Sequence, residues 1–134
     1  MSLYNVDFDQ ILALDEQRAA LLAALTCEKI YPNYSQFNRE AKWRNVEDLA
    51  KAVEFLYTAA IDGKWSQKAA KKAQINVGES IPDIDNFIEY NSVGYAFDAS
   101  LAIDAALSFL VTDDKQHVID CVTHALNTVD MFVQ

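Results

Sequence analysis

Apolar residues recur at every third or fourth position along most of the chain, which is the spacing of an amphipathic α-helix. The clearest stripe consists of Val46, Leu49, Val53, Leu56 and Ala60. Asn45 stands before this stripe as a candidate N-cap, and Gly63 follows it where a helix commonly ends. The pattern predicts one amphipathic helix between these two residues.

Cap residues mark further helix starts along the chain. Asp7 and Asp15 both stand where a helix could start near the N-terminus, so either one helix or a short and a long helix is predicted there. Ser66 precedes an alanine-rich stretch. The helix that begins near Asp15 is predicted to end at Pro32, because proline has no amide hydrogen to donate to the preceding turn. Asn33 is then predicted to cap a short helix or turn.

The stretch from Ser92 to Val111 differs from the others because it is apolar on almost all sides. Such a helix is covered all round, so we predict that the remaining helices pack on it. A last helix is predicted from Asp113 or Asp114, with a buried stripe of Val118, Val122, Ala125 and Val129. The predicted fold class is therefore all-α. It is a single domain over residues 1–134, a helical bundle of about five to six helices around this central apolar helix.

Composition agrees with a packed helical domain. The chain has 134 residues, of which 51% are hydrophobic and 23% charged, and it contains three glycines and two prolines. A many-stranded sheet would need more turn residues than that. The two cysteines, Cys27 and Cys121, lie far apart in sequence among apolar neighbours, which is typical of free thiols in a reducing cytoplasm.

The net charge excludes several partners. The chain carries 20 acidic residues against 11 lysines and arginines, a formal charge of −9. Such a field repels phosphate backbones and anionic membranes, so we expect neither nucleic acid nor membrane as a partner. The N-terminal residues lack the basic flank and apolar core of a signal peptide, and no apolar run approaches the roughly 20 residues that span a bilayer. The expected location is cytoplasmic, and a homo-oligomer is not excluded.

The stretch "ESIPDIDNFIEYN" is the longest predicted connection between helices. It concentrates four acidic residues around Pro82, namely Glu79, Asp83, Asp85 and Glu89. An acidic surface attracts a basic protein, although acidity often serves only to keep a protein in solution. These four residues are our candidates for partner binding.

A second candidate site centres on Asp98, which falls on the apolar side of the central helix. A carboxylate there must be hydrogen-bonded, ion-paired or protonated, because an unpaired buried charge costs several kcal/mol. Arg18, Arg39 or a tyrosine of the 27–37 stretch is the expected partner. The resulting buried polar site would comprise Tyr31, Asn33, Tyr34, Arg39 and Asp98, either as a structural network or as a ligand-binding centre.

The aromatic residues Tyr31, Tyr34, Phe37 and Trp43 crowd one short stretch. We interpret them either as an anchor for a partner or as a corner between two helices, at which the rings cover the core. We favour the second interpretation. In that interpretation Tyr31 and Tyr34 are largely buried and clamp the corner onto the central helix near Asp98.

Motifs for catalysis or metal binding are weak. His117, Asp120, Cys121 and His124 lie along one side of the last predicted helix, but one helix without a second contributing motif rarely holds a metal. The chain has no Glu-x-x-His pair, no phosphate-binding glycine loop and no recognisable nucleophile setting. We therefore expect no metal, no cofactor and no catalytic residue, and lean against an enzyme.

Three sequence blocks together carry a resemblance to a known family. "CEKIYPNYSQF", "IPDIDNF" and "YAFDASLAIDAAL" occur in an order and spacing that resembles the YjaG-like bacterial family known as domain of unknown function 416. The resemblance covers roughly residues 21–133, and Asp98 falls on the aspartate of the family's A-x-D-A block. It implies an all-helical fold and no catalytic residue. Typical members continue with a further charged helical segment, so the resemblance is to a shortened and divergent form.

Three hypotheses for function follow. The first is a non-enzymatic, acidic protein-binding module, such as an inhibitor or immunity protein that masks a basic partner like a toxin nuclease. The second is a signalling-associated or housekeeping adaptor that binds through the aromatic corner. The third is a small-ligand binder or enzyme centred on Asp98.

Overall fold

The computed structural model describes residues 7–43 and 47–133, with side chains as far as residue 128. Over these residues it contains six α-helices, one 3₁₀ turn and no strand, which confirms the predicted all-α bundle. The helices are α1 (Phe8–Leu12), α2 (Glu16–Ala41), α3 (Glu47–Asp62), α4 (Gln67–Glu79), α5 (Val93–Thr112) and α6 (Gln116–Val133). The 3₁₀ turn, Ile84–Phe87, lies between α4 and α5.

Most predicted helix boundaries are confirmed by side-chain caps. Asp7 and Asp15 cap α1 and α2, and the Asp15 carboxylate accepts the backbone N–H of Arg18 at 2.8 Å. Ser66 caps α4 through the N–H of Ala69. Gly63 follows α3 in the left-handed conformation with φ of +70°, as a glycine after a helix commonly does. The predicted cap Asn45 lies outside the described residues.

The prediction that Pro32 ends a helix was wrong, because α2 runs through it for 26 residues. The buried positions Cys27, Ile30, Tyr34 and Phe37 keep helical spacing on both sides of Pro32, which itself is exposed. Burial of that continuous stripe offsets the lost backbone hydrogen bond, which costs about 3 kcal/mol. The helix ends instead after Ala41, where Lys42 adopts a left-handed φ of 53°.

The central position of α5 is confirmed. It packs against α2, α3, α4 and α6, and eleven of its residues are buried. The expectation that no apolar run reaches membrane-spanning length was wrong, since α5 has 20 residues and suitable composition. However, 67% of the apolar 18-residue window within α5 is buried inside the bundle, as in the core helix of a packed protein.

The last helix, α6, begins a little later than predicted. Asp114 accepts the backbone N–H of Gln116 at 2.9 Å, so this acid does stand at the helix start. Of the predicted stripe, Val118 is fully buried, and Val122 and Ala125 pack against the core. The side chain of Val129 lies outside the described residues. The stripe holds α6 against α5 and α2.

Candidate functional site

Residues 80–92 join α4 to α5. We call these residues, together with Glu79, the acidic connection. All four predicted partner-binding acids, Glu79, Asp83, Asp85 and Glu89, are exposed. Asp83 also shapes the backbone, because its carboxylate accepts the N–H of Asp85 at 3.0 Å and the side-chain amide of Asn86 at 3.2 Å. The carboxylates of the connection are thus presented to solvent from an ordered turn.

Aromatic rings hold the inner side of the acidic connection against the core. The ring of Phe87 meets Phe37 at a centroid distance of 5.4 Å and Trp43 at 5.1 Å, both nearly edge-on. The ring of Tyr90 lies 6.3 Å from Phe37. Such edge-to-face pairs each contribute about 0.5–1.5 kcal/mol beyond area burial. The aromatic residues therefore fix which side of the connection faces outward.

Two hydrogen bonds anchor the start of the connection. The hydroxyl of Tyr34 and the indole N–H of Trp43 both donate to the carbonyl oxygen of Ser80, at 2.9 and 3.0 Å. Tyr34 and Phe37 are fully buried, whereas Tyr31 is only half-buried. The aromatic corner is therefore part of the core. The bonds to Ser80 clamp α2 onto the C-terminal end of α4.

A cavity of about 460 Å³ opens beside the acidic connection. Its wall combines residues of α2, the connection and the start of α5, among them Asn33, Gln36, Glu40, Glu89, Tyr90 and Tyr95. Glu40 is held in place because its carboxylate accepts the hydroxyl of Ser92 at 2.7 Å and the amide of Gln36 at 3.3 Å. Among the described residues, the wall contains two glutamates and no lysine or arginine, so this part of the cavity lining is acidic.

Sequence reasoning missed Gln36 and Glu40 as cavity residues because it ended α2 at Pro32. On a helix that continues to Ala41, Asn33, Gln36 and Glu40 fall at positions i, i+3 and i+7, which share one face. Of the sequence-predicted residues, the structure brings Asn33 and Glu89 together at this cavity. The signal that was available is the unbroken apolar stripe on the opposite face of α2.

The stretch of chain without basic residues extends well beyond the connection. Residues 73–114 contain no lysine, arginine or histidine, and they include eight acidic residues. The side chains of Asp113 and Asp114, at the far end of α5, are exposed as well. The nearest basic residues in sequence lie just outside this range. The acids of the connection therefore have no basic residue on their own segment of the chain.

Asp98 contacts α6 rather than the residues expected from sequence. Its Oδ1 lies 3.8 Å from Nδ1 of His124, and its side chain is 13% exposed. Burial raises the pKa of Asp98, while the charge of His124 opposes that rise. Of the expected partners, Arg18 lies beside Asp15 and Arg39 is exposed. The hydroxyl of Tyr34, another residue of the predicted buried polar site, donates to Ser80. The buried polar site of Tyr31, Asn33, Tyr34, Arg39 and Asp98 stays a prediction.

The polar residues of α6 do not converge on one point. His117 and Asp120 lie 3.8 Å apart near the surface, but the thiol of Cys121 is buried and faces the core. Within the described part of the chain, no group of three or more histidine, cysteine, aspartate or glutamate side chains is arranged to hold a metal ion.

Burial also raises the pKa of Asp104, against the lowering effects of Gln74 and Lys71.

Comparison with known proteins places these features in a family. The family described as "Protein of unknown function (DUF416)" matches residues 7–134. The chain is 27% identical over 123 residues to the uncharacterized protein YjaG of Salmonella typhimurium and, equally, to that of Salmonella typhi. These alignments cover 86% of this chain and 58% of each relative.

A solved structure shows the same fold. The crystal structure of a DUF416 family protein from Shewanella baltica superposes with a TM-score of 0.83 at 21% sequence identity. The superposition covers 96% of this chain and 65% of that protein. The chain thus spans less than two thirds of the length of each of these relatives.

Proposed function

The chain belongs to the DUF416 family of proteins of unknown function, and we propose that it is a non-enzymatic module that binds a basic protein through the acidic connection. One observation carries the proposal. An ordered, exposed turn presents four carboxylates beside an acidic cavity, on a stretch of chain that contains no basic residue. Charge complementarity of this kind accelerates association and selects partners of opposite charge.

Apolar groups within the acidic connection support a contact surface rather than a merely solvating one. Ile84 is 37% exposed and lies between Asp83 and Asp85, and Ile88 is 74% exposed and directly precedes Glu89. A protein interface typically has an apolar centre surrounded by polar and charged residues. The connection supplies both components on one turn, so a partner can bury the isoleucines while its basic groups meet the carboxylates.

The neighbouring cavity offers a place for one basic side chain of the partner. Glu40 and Glu89 provide carboxylate oxygens, and Tyr90 and Tyr95 also line the cavity. An arginine or lysine at such a place gains ion pairing and a cation–π contact. A nuclease is one suitable partner class, because proteins that bind phosphate backbones carry basic surfaces. An inhibitor or immunity protein would mask such a surface.

The test compares two triple variants that remove the same number of charges. The first is Glu79→Gln, Asp83→Asn and Asp85→Asn, in which asparagine at position 83 keeps an oxygen that can cap the turn. The matched control neutralises three exposed acids elsewhere, by the substitutions Glu16→Gln, Glu54→Gln and Asp62→Asn. Both proteins should fold as the parent does, as judged by circular dichroism and thermal melting.

Each tagged protein is used to recover partners from native lysate, and the recovered partner is then titrated with each purified variant. We expect the partner to bind the parent and the control alike and to dissociate as salt rises. We expect the first variant to bind about tenfold more weakly, because each of the three charges removed from the rim of the interface contributes about 0.5 kcal/mol to binding. Equal weakening by both variants, or binding that salt does not affect, would contradict the proposal.

A further inference from the structure

Two free cysteines meet in the core, although 94 positions separate them in sequence. Cys27 lies on α2 and Cys121 on α6, and neither side chain is exposed to solvent. Their Sγ atoms are 3.8 Å apart. The Sγ atom of Cys27 also lies 3.8 Å from the carbonyl oxygen of Ala102, so α2, α5 and α6 all meet at this pair.

We propose that Cys27 and Cys121 are a site of covalent modification, at which oxidation forms a disulfide that joins α2 to α6. A disulfide needs a sulfur–sulfur distance of about 2.05 Å, so the two sulfurs must approach by less than about 2 Å. The two helices already pack against each other. Rotation of the two side chains, with small adjustments of the backbone, can close that gap without a change of fold.

The chemistry requires a two-electron oxidant, and we specify hydrogen peroxide. One thiolate attacks a peroxide oxygen and becomes a sulfenic acid, and the other oxygen leaves as hydroxide, which takes up the released proton to form water. The second thiol attacks the sulfenic sulfur, forms the S–S bond and releases a second water molecule. Two thiols are oxidised and one peroxide is reduced, so atoms and electrons balance. No further cofactor is required.

The environment of the pair determines how fast the modification proceeds. Burial raises the pKa of the Cys27 thiol, so little of the reactive thiolate is present in the closed protein. Peroxide must also reach a site with no solvent exposure. Reaction therefore proceeds through local opening of the bundle and is slow. The same burial protects the disulfide from reducing thiols once it has formed.

The experiment treats the purified, fully reduced protein with hydrogen peroxide under native conditions and follows it by intact mass. We expect a monomer that has lost two hydrogen atoms, and peptide mapping that links Cys27 to Cys121. We expect the urea midpoint of unfolding to rise on oxidation and to return on reduction, because the cross-link closes a long loop of the unfolded chain. Circular dichroism should show unchanged helix content.

Cys121→Ala serves as the control, because alanine is small and apolar and leaves one thiol only. The same peroxide treatment should produce no loss of two hydrogens and no rise of its midpoint. Three results for the parent would overturn the proposal: thiols that stay reduced in the native protein but react in urea, oxidation that yields only sulfinic acid or cross-linked dimers, or an oxidised form that unfolds at lower urea. The peptide map of the parent decides the question even if the variant folds poorly.

Discussion

Nδ1 of His124 lies 3.8 Å from Oδ1 of Asp98, across the contact between α5 and α6. This distance exceeds that of a hydrogen bond, and Nδ1 is a buried nitrogen without a hydrogen-bond partner in the described structure. The two groups therefore interact mainly through charge when the imidazole is protonated. The carboxylate that sequence analysis regarded as a possible ligand group is thus one half of a helix–helix contact.

Asp98→Asn is expected to change the pH dependence of stability more than the fold. Since burial raises the pKa of Asp98, its neutral form is favoured in the folded protein. The stability that this residue contributes is fully present below the ordinary aspartate pKa and is lost as pH rises through the raised pKa. Asparagine stays neutral at every pH, so the free energy of unfolding of the variant should not show this loss. A series of urea unfolding curves at different pH values measures it.

A different result for Asp98→Asn would revive the ligand hypothesis. If the variant keeps the parent's melting temperature and pH profile but loses binding to a small molecule that the parent binds, Asp98 acts on a ligand. Asp120→Asn is a suitable control, because Asp120 also faces a histidine on α6 but is more exposed. It should bind any small molecule that the parent binds.

Tyr34→Ala should destabilise the protein by about 2 to 4 kcal/mol, through lost aromatic packing and a lost hydrogen bond. The residue is fully buried, and its hydroxyl donates to Ser80. Tyr34→Phe keeps the ring and should cost only about 1 kcal/mol, since Trp43 still donates to the same oxygen. Urea unfolding measures both. A Tyr34→Ala protein that unfolds like the parent but loses its partner would instead make this corner a binding site.

Pro32→Ala should stabilise the protein by about 1 to 2 kcal/mol. Alanine restores a backbone hydrogen-bond donor in the middle of α2. The stability gained in this way exceeds the stability lost because alanine leaves the unfolded chain more freedom than proline does. Because Pro32 is exposed, little packing is lost. The measurement is the urea midpoint. A lower midpoint would mean that the proline imposes a bend that α2 needs in order to place Asn33, Gln36 and Glu40 at the cavity.

Gly63→Ala and Gly78→Ala should have opposite effects on stability. Gly63 has a φ of +70°, and an added Cβ would lie 3.2 Å from the side chain of Gln17, so we expect a loss of about 1 kcal/mol. Gly78 lies within α4, and apart from its chain neighbours and the nearby backbone of its own helix nothing lies within 4 Å of an added Cβ. Alanine there should therefore gain about 0.5–1 kcal/mol. Thermal melting distinguishes the two. A gain at both positions would show that the strain at Gly63 is relieved elsewhere.

Local sequence signals predicted the helix boundaries well where a single side chain determines them. Asp15, Ser66 and Gly63 act within one turn of their own position, so no tertiary contact was needed to find them. The prediction at Pro32 was wrong because the tendency of proline to end a helix competes with the burial of Tyr34 and Phe37. That burial depends on partners far along the chain. Propensity at one residue is a weak guide when a long stripe is buried on both sides of it.

The candidate site was only partly predictable for a related reason. The acids of the connection could be found because exposure of a charged loop follows from its composition. The pairing of Asp98 with His124 depends on how the antiparallel helices α5 and α6 align, which no local pattern fixes. The same holds for Cys27 and Cys121, which only the packing of α2 on α6 brings together.

The order of the helices along the chain has a consequence during synthesis. The apolar stripes of α2, α3 and α4 are all made before α5, the helix on which they pack. Until the ribosome has released residues 93–112, Tyr34, Phe37 and their neighbours have no complete core to enter. The nascent chain therefore carries exposed apolar surface until α5 has been made, and transiently exposed surface of this kind is what makes incomplete chains prone to aggregation.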